Sequence, residues 1–218
     1  MRVNKYLSSR GQATRRGADE LIRKGRVRIN GRPAVLGDKV TEADRVEVSG
    51  SPETKKYVYL AYHKPIGVVT ATPAGLARDI FPLGRLDKNS HGLIILTNDG
   101  RVTDRLLNPE RAHEKEYLVR TTDKLRSNFK KQMATGVNIE GEITRPCAVT
   151  IKSDFEFTVK LTEGKRHQIR RMCAALKNGV ADLKRVRIMD IELGRLASGT
   201  YRPIVGEELA RFLKNLNL

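Results

Sequence analysis

Two charged side chains sit close together in the segment 81–100, FPLGRLDKNSHGLIILTNDG: Arg85 and Asp87. A carboxylate can serve as a nucleophile that splits a difficult exchange into easier steps. Such a group meets its substrate best from a loop that a rigid element holds in place. The element here is Leu93-Ile94-Ile95-Leu96, an apolar run of the right length for a buried strand and too short for a helix of ordinary size. Asn98-Asp99-Gly100 then ends the strand with turn chemistry. The same pattern also suits a plain turn, in which an aspartate hydrogen-bonds its own backbone. The local residues leave both readings of Asp87 open.

The chain has 218 residues, enough for one large or two small domains and a real core. Its 42 Lys and Arg against 25 Asp and Glu give a net charge of +17. A charge that lopsided favours a polyanionic partner, nucleic acid first and an anionic membrane surface second. No apolar run approaches the roughly 20 residues that span a bilayer. The start Met1-Arg2-Val3-Asn4-Lys5 lacks the apolar core of a signal peptide. Two cysteines, Cys147 and Cys173, make no disulfide framework and fit a reducing cytoplasm. His63, His91, His113 and His167 have no paired metal-ligand spacing, so no zinc site is expected.

Residues 1–50 read as a small basic module. Val3, Tyr6 and Leu7 mark one helical face, and Ala18, Leu21 and Ile22 a second. Gly11 stops the first helix, Thr14 caps the second and Gly25 ends it. Val27–Ile29 enters an Asn30-Gly31 hairpin turn, and a further strand falls at 45–48. Arg2, Lys5, Arg10, Arg15, Arg16, Arg23, Lys24, Arg26, Arg28 and Arg32 face only Asp19 and Glu20. Phosphate contacts explain such a bias better than a merely solvated surface. A polar linker follows at 51–56.

From residue 57 the pattern predicts strands at 57–62 and 68–70, the strand after Asp87, and a short helix over 102–107. It then predicts a strand at 114–120, a helix over 125–134 ended by Gly136, and paired strands at 147–151 and 155–161. Basic residues crowd a strand-to-helix junction at 162–172, where Ile169, Met172, Cys173 and Leu176 give the helix an apolar stripe. Positive charge there opposes the helix dipole, so it calls for a functional reason. A last core strand within 183–193 and a closing helix over 206–217 complete the chain.

Three motifs carry a resemblance. Gly84-Arg85-Leu86-Asp87 with Ser90, Gly92-Leu93 and Thr97-Asn98-Asp99-Gly100 resembles the catalytic motif of the RsuA/RluB/RluE/RluF family of ribosomal RNA pseudouridine synthases. Glu114-Lys115-Glu116-Tyr117-Leu118-Val119 is similar to that family's second motif, and 163–172 (EGKRHQIRRM) to its third. Lys64-Pro65-Ile66-Gly67 matches as well. The basic module, through Arg15-Arg16 and 21–31, resembles an S4 RNA-binding domain. The resemblance implies Asp87 as the catalytic carboxylate and Tyr117 as the ring that stacks on the target base and assists proton transfer. It implies Arg170 as the partner that keeps Asp87 ionised by a salt bridge. Lys165 stands where the family has arginine, keeping charge but losing bidentate geometry.

These readings give an α+β protein. An S4-like module at 1–50 and a linker at 51–56 precede a larger domain at 57–218, built on a mixed, mainly antiparallel sheet with flanking helices. The expected activity is isomerisation of uridine to pseudouridine in a structured hairpin of ribosomal RNA, or on an assembling subunit, by a cytoplasmic monomer with no cofactor. Residues 185–189 resemble the large-subunit branch, whose RNA is the expected target, whereas Tyr201-Arg202-Pro203 with Glu207-Glu208 is similar to the small-subunit branch, the alternative. Asp87, Tyr117 and Arg170 form the expected catalytic set. Arg85, Lys64, Lys165, Arg166, His167, Gln168 and Arg171 join the basic residues of the module as expected RNA contacts. A non-catalytic RNA-binding protein is the competing reading, and the three motifs together argue against it.

Overall fold

The structure, a computed structural model, describes residues 1–49 and 56–218, without the side chain of Arg16. The linker expected at 51–56 therefore lies, apart from Lys56, outside the described residues.

The N-terminal part opens with helices α1 (Val3–Ser9) and α2 (Arg15–Arg23). Gly11 follows α1 with φ +71, a left-handed turn that glycine takes without strain. The Thr14 hydroxyl caps α2 by accepting from Gly17 N at 3.0 Å. Strands β1 (Val27–Ile29), β2 (Arg32–Pro33) and β3 (Val46–Val48) form a small antiparallel sheet in the order β2-β1-β3. Asn30 and Gly31, both at positive φ, make the β1–β2 turn that an Asn-Gly pair favours. Val3, Leu7, Ala18, Ile22, Val27 and Ile29 form one buried cluster between helices and sheet.

The remainder contains β4 (Tyr59–Lys64), β5 (Phe81–Leu83), β6 (His91–Thr97), α3 (Arg101–Leu107) and β7 (Lys115–Thr121). Next come α4 (Phe129–Ala134), β8 (Asn138–Ile139), β9 (Glu142–Ile143), β10 (Ala148–Ile151), β11 (Glu156–Leu161) and α5 (Gln168–Ala175). β12 (Val180–Ile188), β13 (Ile191–Glu192), β14 (Tyr201–Pro203) and α6 (Gly206–Asn215) end the chain. The main sheet runs β10-β11-β7-β12-β6-β4-β14, with β13 on β12 and β5 on β6. Its pairs are antiparallel apart from β12 with β6.

The β6 run Leu93–Leu96 is apolar throughout because both its faces are covered. Leu93 and Ile95 pack under α3 and α6, while Ile94 and Leu96 meet Leu60, Tyr62, Ile80 and Leu86 on the opposite side. Each such buried side chain stabilises the fold by roughly 1.5–3 kcal/mol. A second core joins α4 and α5 to β7, β11 and β12 through Val119, Phe129, Phe157, Ile169 and Met172.

Three expected elements differ. Residues 68–70 form a loop, not a strand. Val68 and Val69 are exposed, and the Lys64 ammonium (donating to Val68 O at 2.7 Å) and Thr70 Oγ1 (donating to Leu86 O at 2.9 Å) fold the segment back. Helix α4 begins at Phe129 and not at 125, because Leu125 N donates to Asp154 O across the neighbouring turn. The expected last strand divides into β12 and β13 at Met189, which takes φ +51.

Candidate active site

The loop between β5 and β6 carries Asp87, and hydrogen bonds from three sides hold it. Leu86 N donates to Thr70 Oγ1 at 3.0 Å, Gly67 N donates to Lys88 O at 2.8 Å, and Ser90 N closes a turn onto Asp87 O at 3.0 Å. Leu86, 9% exposed, pins the loop into the core. Asp87 therefore projects from a fixed backbone with its side chain 38% exposed. It opens into a cleft of about 810 Å³ that Arg85, Lys115, Tyr117, Lys165, Arg166, His167 and Arg185 also line. Glu163 also lines it and accepts from Gln168 Nε2 at 2.6 Å; apart from Asp87 and Glu163, the charged groups of the lining are cationic or can become so.

The third motif forms the facing wall. His167 takes φ +51 just before α5, and its Nε2 lies 3.4 Å from Asp87 Oδ1. The expected ion pair between Arg170 and Asp87 is not what the structure shows. Arg170 Nη2 donates to Asn89 O at 2.7 Å and Nη1 to Val180 O at 3.1 Å, so its guanidinium braces the Asp87 loop through backbone. His167, Gln168 and Ile169 line the cleft, whereas the helical turn directs Arg170, one residue on, to the Asn89 and Val180 carbonyls.

Several expected RNA contacts have other partners. Lys64 is 1% exposed and donates to Pro65 O at 2.8 Å as well as to Val68 O, so it is a buried turn brace and not a phosphate contact. Burial pushes its ammonium pKa down, and the nearby Asp87 charge pulls it back up. Gln168 is 5% exposed, with its amide on Glu163 Oε1 at 2.6 Å and its oxygen accepting from Lys165 N, which builds the junction. Arg171 pairs with Glu140 at 2.6 Å and steadies the β8–β9 hairpin. Lys165 reaches the same hairpin through Glu142 at 2.6 Å. Arg166 and His167 are exposed.

On the N-terminal module, Arg2, Lys5, Arg10, Arg15, Arg23, Lys24, Arg26 and Arg28 are all exposed, whereas the side chain of Arg16 lies outside the described residues. Lys24 pairs with Glu20 at 2.8 Å, and Arg10 lies over the Tyr6 ring at 5.0 Å. The module meets the larger part at Tyr57, whose hydroxyl donates to Gly11 O at 3.0 Å while Arg101 lies over its ring at 4.3 Å. Arg101 in turn clamps Asp99, fully buried, through Nε at 2.9 Å and Nη2 at 2.8 Å. Asp99, part of the first motif, thus belongs to this joint and not to the cleft.

Sequence reasoning missed Lys115 and Arg185 as cleft residues. Lys115 was legible in principle: it precedes Tyr117 by two in a strand and so shares its face. Arg185 is visible only through register, because it stands opposite Tyr117 across β7 and β12.

An exposed basic module, joined to a part whose cleft presents a carboxylate, a tyrosine and several cations, defines an RNA-modifying enzyme. A family model described as RNA pseudouridylate synthase matches residues 58–175, and one described as S4 domain matches residues 1–46. The dual-specificity RNA pseudouridine synthase RluF of Salmonella typhi is 39% identical over 98% of this chain and 78% of its own length. Ribosomal small subunit pseudouridine synthase A of Pasteurella multocida is 34% identical over 98% of this chain and 100% of its own. A crystal structure of a pseudouridylate synthase aligns with a TM-score of 0.72 at 30% identity, covering 99% of each chain. The chain belongs to the RNA pseudouridylate synthase family: it is an isomerase that converts uridine to pseudouridine in RNA.

Proposed function

We propose that this enzyme acts as a monomer on a structured hairpin of ribosomal RNA, that of the large subunit, with Asp87 as its nucleophile. The observation that carries the reading is the placement of Asp87 and Tyr117 in one cleft walled by cations. The resemblance of residues 185–189 to the large-subunit branch supports the choice of RNA. The exposed cations of the S4 module supply sequence-independent attraction to the phosphate backbone, and the module and cleft engage one RNA together, so their modest contacts reinforce each other.

The reaction breaks the N1–C1′ bond, turns the base and rejoins it through C5. No electrons or groups enter or leave, so a carboxylate, a proton acceptor and water suffice. The target nucleotide leaves its stack to reach the cleft, as happens in enzymes that work on a base, and Arg85 fills the space it vacates. The Asp87 carboxylate attacks C1′ and holds the ribose while the base turns. His167 Nε2, 3.4 Å from Asp87 Oδ1, helps to orient the carboxylate toward C1′. Arg170 positions the attacking group by fixing Asn89. Tyr117 stacks on the base and assists removal of the C5 proton.

The test incubates unmodified transcripts of both ribosomal RNAs, and a pool of small structured RNAs, with the protein and with Asp87→Asn. Pseudouridine is mapped by chemical adduct and primer extension. A discrete stop in the large-subunit transcript, absent with the variant, is expected. A stop confined to the small-subunit transcript overturns the choice of RNA, and stops made equally by Asp87→Asn overturn the assignment of the nucleophile.

A further inference from the structure

Within the cleft, Arg185 and Lys115 have no role in the chemistry described so far. Arg185 is 3% exposed and yet lines the cleft. Its Nε donates to Leu93 O at 2.7 Å, and among the described residues its Nη2 has no hydrogen-bond partner. A guanidinium cannot shed its charge, and a buried charge with a free donor is costly unless something completes it. The adjacent carboxylates do not: Glu114 and Glu116 both pair with Arg187, at 3.1 and 2.9 Å. Lys115 Nζ donates to His113 O at 3.2 Å, which leaves further donors on the ammonium. Burial, and after it the Arg185 charge, hold the Lys115 ammonium below its ordinary pKa.

Register places this pair where the base must lie. Arg185 stands opposite Tyr117 in the β7–β12 ladder, and opposed residues have Cβ atoms about 4.5–5.5 Å apart on one face of the sheet. Lys115 shares that face two residues earlier. A base stacked on Tyr117 therefore presents its edge to the buried Arg185 and the half-buried Lys115, neither of which is ion-paired to a carboxylate among the described residues.

We infer that Arg185 and Lys115 form a leaving-group subsite that stabilises the uracil anion released when the N1–C1′ bond breaks. This assignment rests on the proposed role of Asp87. As Asp87 Oδ bonds to C1′, the N1–C1′ pair stays with the base, giving a monoanion whose charge spreads over N1, O2 and O4. Arg185 Nη2 and Lys115 Nζ donate to those oxygens. The anion then turns, and C5 attacks C1′ and displaces the Asp87 carboxylate. The C5 proton leaves with Tyr117 assisting, and N1 takes a proton from water. Donors fixed in advance where charge develops are the arrangement that stabilises such a step.

The experiment compares transcripts carrying uridine with transcripts carrying 5-fluorouridine, whose base is a better leaving group. Single-turnover loss of the N1-linked nucleoside is followed by digestion and chromatography, and RNA affinity by filter binding. Arg185→Met and Lys115→Met are tested with Arg185→Lys, which keeps the charge and carries the test if Arg185→Met does not fold. With uridine, removal of either charge should slow the step by about 100-fold or more while affinity is kept, and Arg185→Lys should recover part of the rate. With 5-fluorouridine the loss should shrink at least several-fold. Equal losses on both RNAs, or a loss that follows affinity alone, overturn the subsite while leaving the wild-type activity and the Asp87 role standing. An inactive wild type removes the proposed function as well.

Discussion

The Arg170 guanidinium donates to the Asn89 carbonyl at 2.7 Å, two residues beyond Asp87. A side chain on α5 thereby fixes the backbone of the loop that carries Asp87, the proposed nucleophile, while a second nitrogen holds Val180 O at the start of β12. Three elements meet at one planar fork.

Arg170→Ala should therefore leave RNA affinity intact and slow turnover. A misplacement of about 1 Å in a reacting group costs on the order of 100-fold, and that is the loss expected in the single-turnover rate. Arg170→Lys should recover little, since one ammonium cannot reproduce a fork that spans two carbonyls. Filter binding and single-turnover kinetics check both statements. A variant that loses affinity and keeps its rate would place Arg170 on the RNA instead.

Much of this was legible in the sequence, for reasons specific to each place. Thr14, Asn30-Gly31 and the run Leu93–Leu96 act through their immediate neighbours, so pattern alone located the cap, the turn and the strand. Val68–Thr70 misled because its β-forming residues lie in a loop whose path is set by Lys64 and by Thr70 with Leu86, contacts from outside the segment. Lys64 looked like a surface cation because nothing local shows that its ammonium turns inward onto Pro65 and Val68 carbonyls. Arg170 followed the family expectation, whereas its partner here depends on how α5 rests on the loop. Arg185 needed the parallel pairing of β12 with β6 and the antiparallel pairing with β7, a register spread over three distant segments.

The exposed cations of the N-terminal module predict a salt signature. Replacing Arg15, Arg23 and Arg26 by Gln removes charges that are exposed, so thermal stability should hold. Each lost phosphate contact should lower the slope of log affinity against log salt by about 0.7–0.9. Titrations of a structured RNA at several salt concentrations give the slope. An unchanged slope would remove these residues from the RNA interface.

Asp99 sets an acid limit on stability. Burial pushes its carboxyl up, but hydrogen bonds from Arg101 and Tyr59 outweigh that and hold the pKa below the ordinary 3.8. A depressed folded-state pKa contributes stability that is complete above the unfolded value and fades as pH falls through the folded one. Asp99→Asn should cost about 3 kcal/mol at neutral pH, the lower end for breaking a buried pair, because Arg101 keeps 31% of its side chain in solvent. The gap between wild type and variant should narrow below about pH 4. Denaturant melts across that range measure it, and a gap that widens in acid contradicts the clamp.

Gly92 marks a close approach of two strands in the sheet. It pairs with Arg185 where β6 runs parallel to β12, takes φ +109, and a Cβ there would lie 2.3 Å from Arg185 O and 2.6 Å from Arg185 N. Backbone cannot yield as a flexible side chain does, so relief would require the two strands to part beneath the Asp87 loop and the Arg185 subsite. Gly92→Ala should lose about 4 kcal/mol or more, in the range reserved for a named structural fault. Gly25, at φ +66 with nothing within 4 Å of a Cβ, supplies the control. Gly25→Ala meets only the conformational penalty, about 1 kcal/mol. Paired urea melts decide the matter: equal losses in the two variants would mean that β6 and β12 do not approach as closely as the register requires, and Arg185 would then lose the neighbour that holds it against Tyr117.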